Sequence, residues 1–173
     1  MPKVIRILID KVPQIAKSAF VSKDARVIGD VEIGENCLVM PGAVIRGDFG
    51  SIRIGKNVWI EENAVVHVAP PGLDIGDDVT IGHGAVVNGR RVGNKVLIGI
   101  NASVLHQVEI GDRCIIAAGA VVTQGTKIPS GSFVAGVPAR VIGEASEELL
   151  TEWVGRDAQF LFRLAEDYRK QGL

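Results

Sequence analysis

Aliphatic residues recur at every sixth position over most of this chain. Three shorter series begin at Ile15, Ile54 and Ile75, and the longest runs without interruption through Val92, Ile98, Val104, Ile110, Ile116, Val122, Ile128 and Val134. A small or β-branched residue often stands four positions after the aliphatic one, and glycine often follows it directly. A period of six matches neither the 3.6-residue repeat of a helix nor the alternation of an ordinary strand. The pattern therefore excludes helices and simple hairpins over roughly residues 12–140.

A hexapeptide repeat is typical of short strands joined by tight corners, with three strands in each coil of 18 residues. The coils stack to form a parallel β-helix, and the aliphatic and small residues point into its core. Asparagine adopts the left-handed backbone conformation of a tight corner more readily than most residues do. We therefore predict corner positions for Asn36, Asn57, Asn63, Asn94 and Asn101.

The pattern changes after Arg140. Ser146 is suited to cap a helix N-terminus, and apolar residues then recur at intervals of three and four: Leu149, Leu150, Trp153, Val154, Phe160, Leu161, Leu164 and Tyr168. The sequence thus predicts a mainly β protein with a β-helix domain over residues 1–143. A C-terminal α-helix over residues 144–173 is predicted to pack back along the coils.

Composition narrows the range of functions. The net charge is −1, hydrophobic residues make up 47% of the chain and aromatic residues only 5%, so the core must be aliphatic. This charge predicts no nucleic-acid partner, and no segment approaches the length of a membrane span. The apolar run over residues 1–10 is too short and too interrupted by charge for a signal peptide, which favours a cytoplasmic protein. Cys37 and Cys114 have no metal-binding or redox spacing, and we expect them to be buried.

Three polar residues are candidates for chemistry. His67 and Asn88 each follow an inward aliphatic residue and are 21 positions apart, which is one coil plus an insertion of three. They should therefore stack on one face, about 4.8 Å apart. His83 comes two positions after Ile81 and belongs to another face. Three subunits around a threefold axis could bring His83 of one chain opposite His67 and Asn88 of its neighbour.

These residues, together with the segment Arg46-Gly-Asp48, resemble the γ-class carbonic anhydrase family. The resemblance extends over essentially the whole chain and implies a left-handed β-helix and a homotrimer. It also implies zinc, or iron or cobalt, held between subunits at His67, His83 and position 88. The implied substrate is carbon dioxide, which such a site hydrates to bicarbonate, with Arg46, Asp48 and Glu61 beside the metal.

The chain departs from the family pattern in four places. Asn88 replaces the third histidine ligand, Glu61 replaces a glutamine, and Gln159-Phe160 stands where the family often has Asn-Tyr. The loop Val68–Asp74 lacks an acidic insertion that carries protons in one branch of the family. An amide oxygen is a poor zinc ligand, so we expect weak or absent carbon dioxide hydration.

His106 is the one remaining histidine. It follows the residue that should stack on Asn88, on the side away from His67, so about 10 Å separates the two histidines. We therefore interpret His106 as an exposed corner residue and not as a substitute ligand.

Two other functions stay open at the level of sequence. The segment Val134–Ile142 resembles one that helps to bind CoA in hexapeptide acyltransferases, where His83 or His106 could act as the base. The altered positions Asn88, Glu61 and Phe160 instead favour a non-catalytic trimer that serves as a scaffold or binding subunit.

Overall fold

The computed structural model describes residues 11–154 and 158–172 of the chain. The apolar run over residues 1–10, where the predicted β-helix domain begins, lies outside the described residues. The strands are β1 (Gln14–Ile15), β2 (Phe20–Val21), β3 (Arg26–Ile33), β4 (Leu38–Val39), β5 (Val44–Ile54), β6 (Trp59–Ile60), β7 (Val65–His67), β8 (Gly72–Ile75), β9 (Thr80–Ile81), β10 (Val86–Val87), β11 (Arg91–Val92), β12 (Leu97–Ile98), β13 (Ser103–Val104), β14 (Glu109–Ile110), β15 (Ile115–Ile116), β16 (Val121–Val122), β17 (Lys127–Ile128), β18 (Ser132–Gly136) and β19 (Ala139–Glu144).

The strands form a parallel β-solenoid of about 7 turns, as the hexapeptide period predicts. Its first face contains the beginnings of β3 and β5, followed by β7, β10, β13 and β16. Its second face contains β1 and the ends of β3 and β5, followed by β8, β11, β14 and β17. The third face is a separate sheet in the order β2-β4-β6-β9-β12-β15-β18-β19. The long strands β3 and β5 turn the corner between the first two faces, and only β18 and β19 pair antiparallel among the described strands.

The core is a column of aliphatic side chains from all three faces. The period-six residues from Ile33 to Val134 are buried in it. In the first described coil, Ile15 is exposed and Val21 and Val27 are half-buried, so the column is less well buried there than in the later coils. Gly29 shows how closely the coils approach: at its φ of +82°, a Cβ atom would lie 2.4 Å from the Gly47 carbonyl oxygen.

Four of the five predicted asparagine corners are confirmed. Asn36, Asn57, Asn63 and Asn101 have φ values of 55–60°. The prediction for Asn94 is wrong, because the next residue, Lys95, takes the left-handed conformation with φ 55°. The side chain of Asn94 instead accepts a hydrogen bond from the Asp77 N–H at 2.8 Å and so joins two coils.

Within residues 144–154 and 158–172, the structure has two helices where the sequence predicts one. Helix α1 (Glu147–Trp153) is capped by Ser146 as predicted, and it ends because Val154 is extended, with φ −130° and ψ 146°. Helix α2 spans Ala158–Lys170. In the described part of the chain, neither helix has the length and apolar character needed to cross a membrane.

Both helices pack on the third face, and they run back along the coils as the sequence predicts. Leu150 of α1 and Val154, which directly follows the helix, lie against Ile115, late in the solenoid. Leu161 and Ala165 of α2 lie in an apolar cluster with residues of the first coils, which are Phe20, Leu38 and Met40. Leu149, Trp153 and Phe160 of the predicted apolar stripe are partly exposed.

Removal of a core side chain should cost far more stability than removal of the same side chain at the surface. Ile98 is fully buried, whereas Ile142 is 60% exposed. We expect Ile98→Ala to lower the free energy of unfolding by about 2–5 kcal/mol in urea denaturation, because it leaves a cavity. The matched variant Ile142→Ala should change it by less than about 0.5 kcal/mol. Equal losses in the two variants would contradict the burial described above.

Both cysteines are buried, as the sequence predicts. Burial raises the pKa of the Cys37 thiol from an ordinary value of 9.0 to about 12, and burial also raises the pKa of Cys114. The two thiols donate to the carbonyl oxygens of Gly55 and Pro129, each at 3.1 Å.

These thiols should be inert in the native protein. We expect no reaction with Ellman's reagent at pH 8 and reaction of two thiols per chain in denaturing urea. The unfolded thiol of Cys37 ionises near pH 9.0, and the folded one only near 12. The folded state therefore holds the extra proton, and its stability should fall as pH rises through this window. Rapid labelling of native protein would refute the burial.

Candidate functional site

On the first face, polar side chains of successive coils lie above one another along the coil axis. Strand pairing places Arg46 beside His67, and it places Val66 beside Val87, so that Asn88 follows His67 in the next coil. The stack continues to Leu105, because Val87 pairs with Val104. The first face thus brings His67 and Asn88 together as their spacing predicts, despite the loop inserted between them.

His67 is held in one tautomer by the backbone. Its Nδ1 lies 2.8 Å from the carbonyl oxygen of Arg46. A carbonyl oxygen only accepts hydrogen bonds, so Nδ1 carries the proton and donates it. In an imidazole that carries its single proton on Nδ1, the lone pair of Nε2 is available for a ligand. A metal-binding histidine is commonly oriented through its other ring nitrogen in this way.

Arg46 and Asp48 form an ion pair beside His67. The guanidinium Nη1 is 2.6 Å from the Asp48 Oδ2, and the Asp48 side chain is only 3% exposed compared with 38% for Arg46. The other carboxylate oxygen, Oδ1, lies 3.6 Å from His67 Nδ1. Phe49, which the sequence reasoning missed, has its ring centre 5.8 Å from the Arg46 Cζ atom and 5.9 Å from the His67 ring centre.

Asn88 has an unpaired buried oxygen. Its Oδ1 atom is inaccessible to solvent, and no hydrogen-bond donor reaches it among the residues that the structure describes. Such an atom costs free energy until a donor or a cation approaches it. Asn88 also lines a cavity of about 340 Å³ with Arg90 and His106, beneath the loop 69–72. His106 is exposed and one position past the residue beside Asn88, which agrees with its predicted place.

His83 lies at another edge of the solenoid, between two carboxylates. Its Nδ1 is 2.7 Å from the Glu62 Oε2, and its Nε2 is 3.2 Å from the Glu61 Oε2. The Glu61 carboxylate also accepts the backbone N–H of His83 at 3.1 Å. Across residues 11–154 and 158–172, no three or more His, Cys, Asp or Glu side chains of the isolated chain are arranged so that they could hold a metal ion together.

A single chain places Glu61 beside His83. Its carboxylate contacts His83 at the corner that follows the third face. The place beside the metal, with Arg46 and Asp48, that the resemblance implies for Glu61 stays a prediction for an assembly of chains. Sequence reasoning missed Glu62 altogether. Its spacing could have revealed it, because Glu62 precedes His83 by 21 positions, as Arg46 precedes His67.

Helix α2 adds Tyr168 to the surroundings of Glu62. Burial raises the pKa of the Tyr168 hydroxyl, and the negative charge of Glu62 raises it further. The Tyr168 ring packs 5.5 Å from the ring centre of Phe20. Gln159 and Phe160, at the positions where the resemblance implies residues near the site, are exposed at the beginning of α2.

Comparison with known proteins agrees with this architecture. Residues 13–47 and 91–124 match the family model for bacterial transferase hexapeptide (six repeats), and residues 51–89 match that for the hexapeptide repeat of succinyl-transferase.

Two mitochondrial proteins of Arabidopsis thaliana are similar over most of the chain. The match to gamma carbonic anhydrase 1 is 41% identical and covers 80% of this chain, and the match to gamma carbonic anhydrase 2 is 36% identical and covers 91%. This chain spans only 53% and 59% of the length of those two relatives.

A solved structure is similar over nearly its full length. The hexapeptide transferase family protein from Anaplasma phagocytophilum has a TM-score of 0.83 and 32% identity, and the match covers 90% of this chain and 92% of that one. With these family matches, the chain belongs to the hexapeptide-repeat family, and it is similar to γ-carbonic anhydrases.

Proposed function

We propose that the chain forms a homotrimer that binds a divalent metal between subunits and weakly catalyses the hydration of carbon dioxide. His67 and Asn88 of one subunit would hold the metal together with His83 of the next. The observation that carries the proposal is the pair of unused donor atoms on adjacent coils. These are the Nε2 atom of His67, set by the bond from Nδ1 to the Arg46 carbonyl, and the unpaired Oδ1 atom of Asn88.

The donor set fits such a metal. Two imidazole nitrogens and one oxygen are ligands that zinc, iron(II) and cobalt(II) accept, although zinc binds an amide oxygen less well than imidazole. In an isolated chain, both ring nitrogens of His83 contact carboxylates. If one nitrogen turned to a metal, the other could keep its carboxylate partner, an arrangement common around metal-bound histidines.

When bound, a divalent metal supplies Lewis acidity that lowers the pKa of water toward neutrality. The side chains around it have separate tasks. The Arg46 carbonyl orients His67, and the Arg46 guanidinium holds the buried Asp48 carboxylate in place. Hydration of carbon dioxide releases one proton with each bicarbonate, and the Glu61 and Glu62 carboxylates beside His83 are positioned to accept it.

CoA-dependent acyl transfer is the second candidate. An apolar groove of about 360 Å³ favours it, because it begins at His83 and Glu61 and runs between the third face and α1. Such a groove suits the apolar part of an acyl thioester. The name of the Anaplasma protein, a hexapeptide transferase family protein, also supports group transfer. A scaffold trimer without catalysis is the third candidate.

The metal content of purified protein tests the proposal. We expect divalent metal in the native protein and its loss in His67→Ala, because that change removes the oriented imidazole. Asn88→His should retain metal more tightly and raise the hydration rate at least tenfold, because it replaces the weakest donor. The control His106→Ala should leave both properties unchanged.

Three outcomes distinguish the alternatives. If neither the native protein nor Asn88→His holds metal, the proposed function is wrong. If acyl-CoA then raises the melting temperature, acyl transfer replaces it. If no acyl-CoA binds either, the scaffold is favoured.

Loss of the Arg46 guanidinium should destabilise the protein through Asp48. Arg46→Ala leaves a carboxylate with only 3% side-chain exposure beside no cation, and we expect a loss of roughly 2 kcal/mol in urea unfolding. Asp48→Asn in the same chain should recover part of this loss, since it removes the buried charge. The control Arg53→Ala breaks an ion pair whose Asp30 partner is 28% exposed, and it should cost less than about 1 kcal/mol. Equal losses from Arg46→Ala and Arg53→Ala would contradict the role of burial.

A further inference from the structure

A second ladder of side chains runs along the corner that follows the third face. Pairing of Ile60 with Ile81 and of Ile81 with Ile98 places Glu62, His83 and Ile100 above one another in successive coils. The Asn101 N–H donates to the His83 carbonyl oxygen at 2.9 Å, which fixes this stacking in the backbone. Ile100 is 48% exposed, although it lies in the regular part of the solenoid.

The first face carries a matching ladder in the order Arg46, His67, Asn88 and Leu105. Leu105 is half-buried and directly follows the inward-pointing Val104. Both ladders rise by one coil per step, about 4.8 Å, because both follow the same parallel strand pairing. In each ladder, a charged residue comes first and an aliphatic residue comes last. Between them lie two metal-ligand candidates on the first face, His67 and Asn88, and one in the second ladder, His83.

The structure assigns these two ladders to opposite sides of one interface between copies of this chain, with Ile100 of one subunit packed against Leu105 of its neighbour. This inference rests on the proposed function, because it takes His83 to be level with the gap between His67 and Asn88 of the next subunit. If the axis of the ring is parallel to the coil axis, a given residue lies at the same height along that axis in every subunit. One coil further, Ile100 is then level with the gap between Asn88 and Leu105.

The chemistry of the two ladders is complementary in this alignment. Glu62 comes level with the gap between Arg46 and His67 of the neighbour, so a carboxylate faces a guanidinium. Ile100 covers an aliphatic side chain and shields the Asn88 side of the site from water. Because the two ladders lie on different edges, the contact is head-to-tail, which is the kind of contact that the ring of three in the proposed function requires.

The same ladders oppose the neighbouring alignments. A shift by one coil would bring His83 level with the gap between Asn88 and Leu105, or would set Ile100 between His67 and Asn88. Either shift places an apolar side chain against polar groups that need partners, which disfavours the wrong alignment. The aliphatic pair thus fixes the height at which the metal ligands meet.

Thiol cross-linking tests the pairing directly. In the double variant Ile100→Cys/Leu105→Cys, a short bis-maleimide should join three chains into a covalent trimer on a denaturing gel. Each single variant has one reactive thiol per chain and should give at most a covalent dimer, since Cys37 and Cys114 are buried. The control Ile100→Cys/Val137→Cys places the second thiol at a residue that is 72% exposed near the end of the solenoid, and it should give no covalent trimer.

Sedimentation and metal content separate this inference from the proposed function. A covalent trimer without bound metal supports the interface and refutes the metal site. A trimer that binds metal but gives no covalent trimer in the Ile100→Cys/Leu105→Cys variant refutes the pairing and leaves the proposed function intact. A protein that sediments as a monomer overturns both.

Leu105→Asp gives an independent measure. A carboxylate opposite Ile100 should shift the sedimentation profile toward monomer, whereas Ser103→Asp, two positions earlier in the chain, should remain trimeric. An unchanged trimer in Leu105→Asp would contradict the aliphatic contact.

Discussion

Register between stacked coils is the constraint on which the rest of this molecule depends. Each coil is joined to the next by parallel backbone hydrogen bonds, and a column of buried aliphatic side chains fixes which residues are paired. A slip by one residue would turn that column toward solvent and bring polar side chains into the core. The free energy that holds the core together therefore also sets the heights of His67, Asn88 and His83. The inserted loop 68–74 tests this, since Val66 still pairs with Val87 beyond it.

Features that follow from register could be predicted from the sequence, and features that follow from side-chain choice could not. The burial of the aliphatic column and the stacking of His67 on Asn88 depend only on counting residues through coils. Glu61 illustrates the opposite case. It lies at a corner where its side chain can take more than one direction, and in the structure its carboxylate contacts His83. At the corner near Asn94, two adjacent residues could take the left-handed conformation, and the hydrogen bond that Asn94 accepts from Asp77 leaves that role to Lys95. The break between α1 and α2 was also missed, since apolar spacing continues across Val154 while its backbone becomes extended.

The polar groups of the first face cost stability in a lone chain. The Asp48 side chain is almost completely buried and relies on a guanidinium that is itself partly exposed. The Asn88 oxygen has no donor among the described residues. A chain that needed only a stable solenoid would be better served by apolar or fully exposed residues at both positions. Buried polar groups left incomplete in this way are typical of surfaces that are completed by binding.

A shared site also changes what a substitution at position 88 does. In a site within one chain, exchange of histidine for asparagine would alter metal affinity alone. In the proposed trimer, the same metal would link two chains, so a weaker ligand would also weaken assembly. The proposed aliphatic contact beside the site would compensate for this, because apolar burial does not depend on metal occupancy. A chain with Asn88 would therefore need a residue such as Ile100 more than a chain with three histidines, and assembly by packing would let the ligand set vary without loss of the trimer.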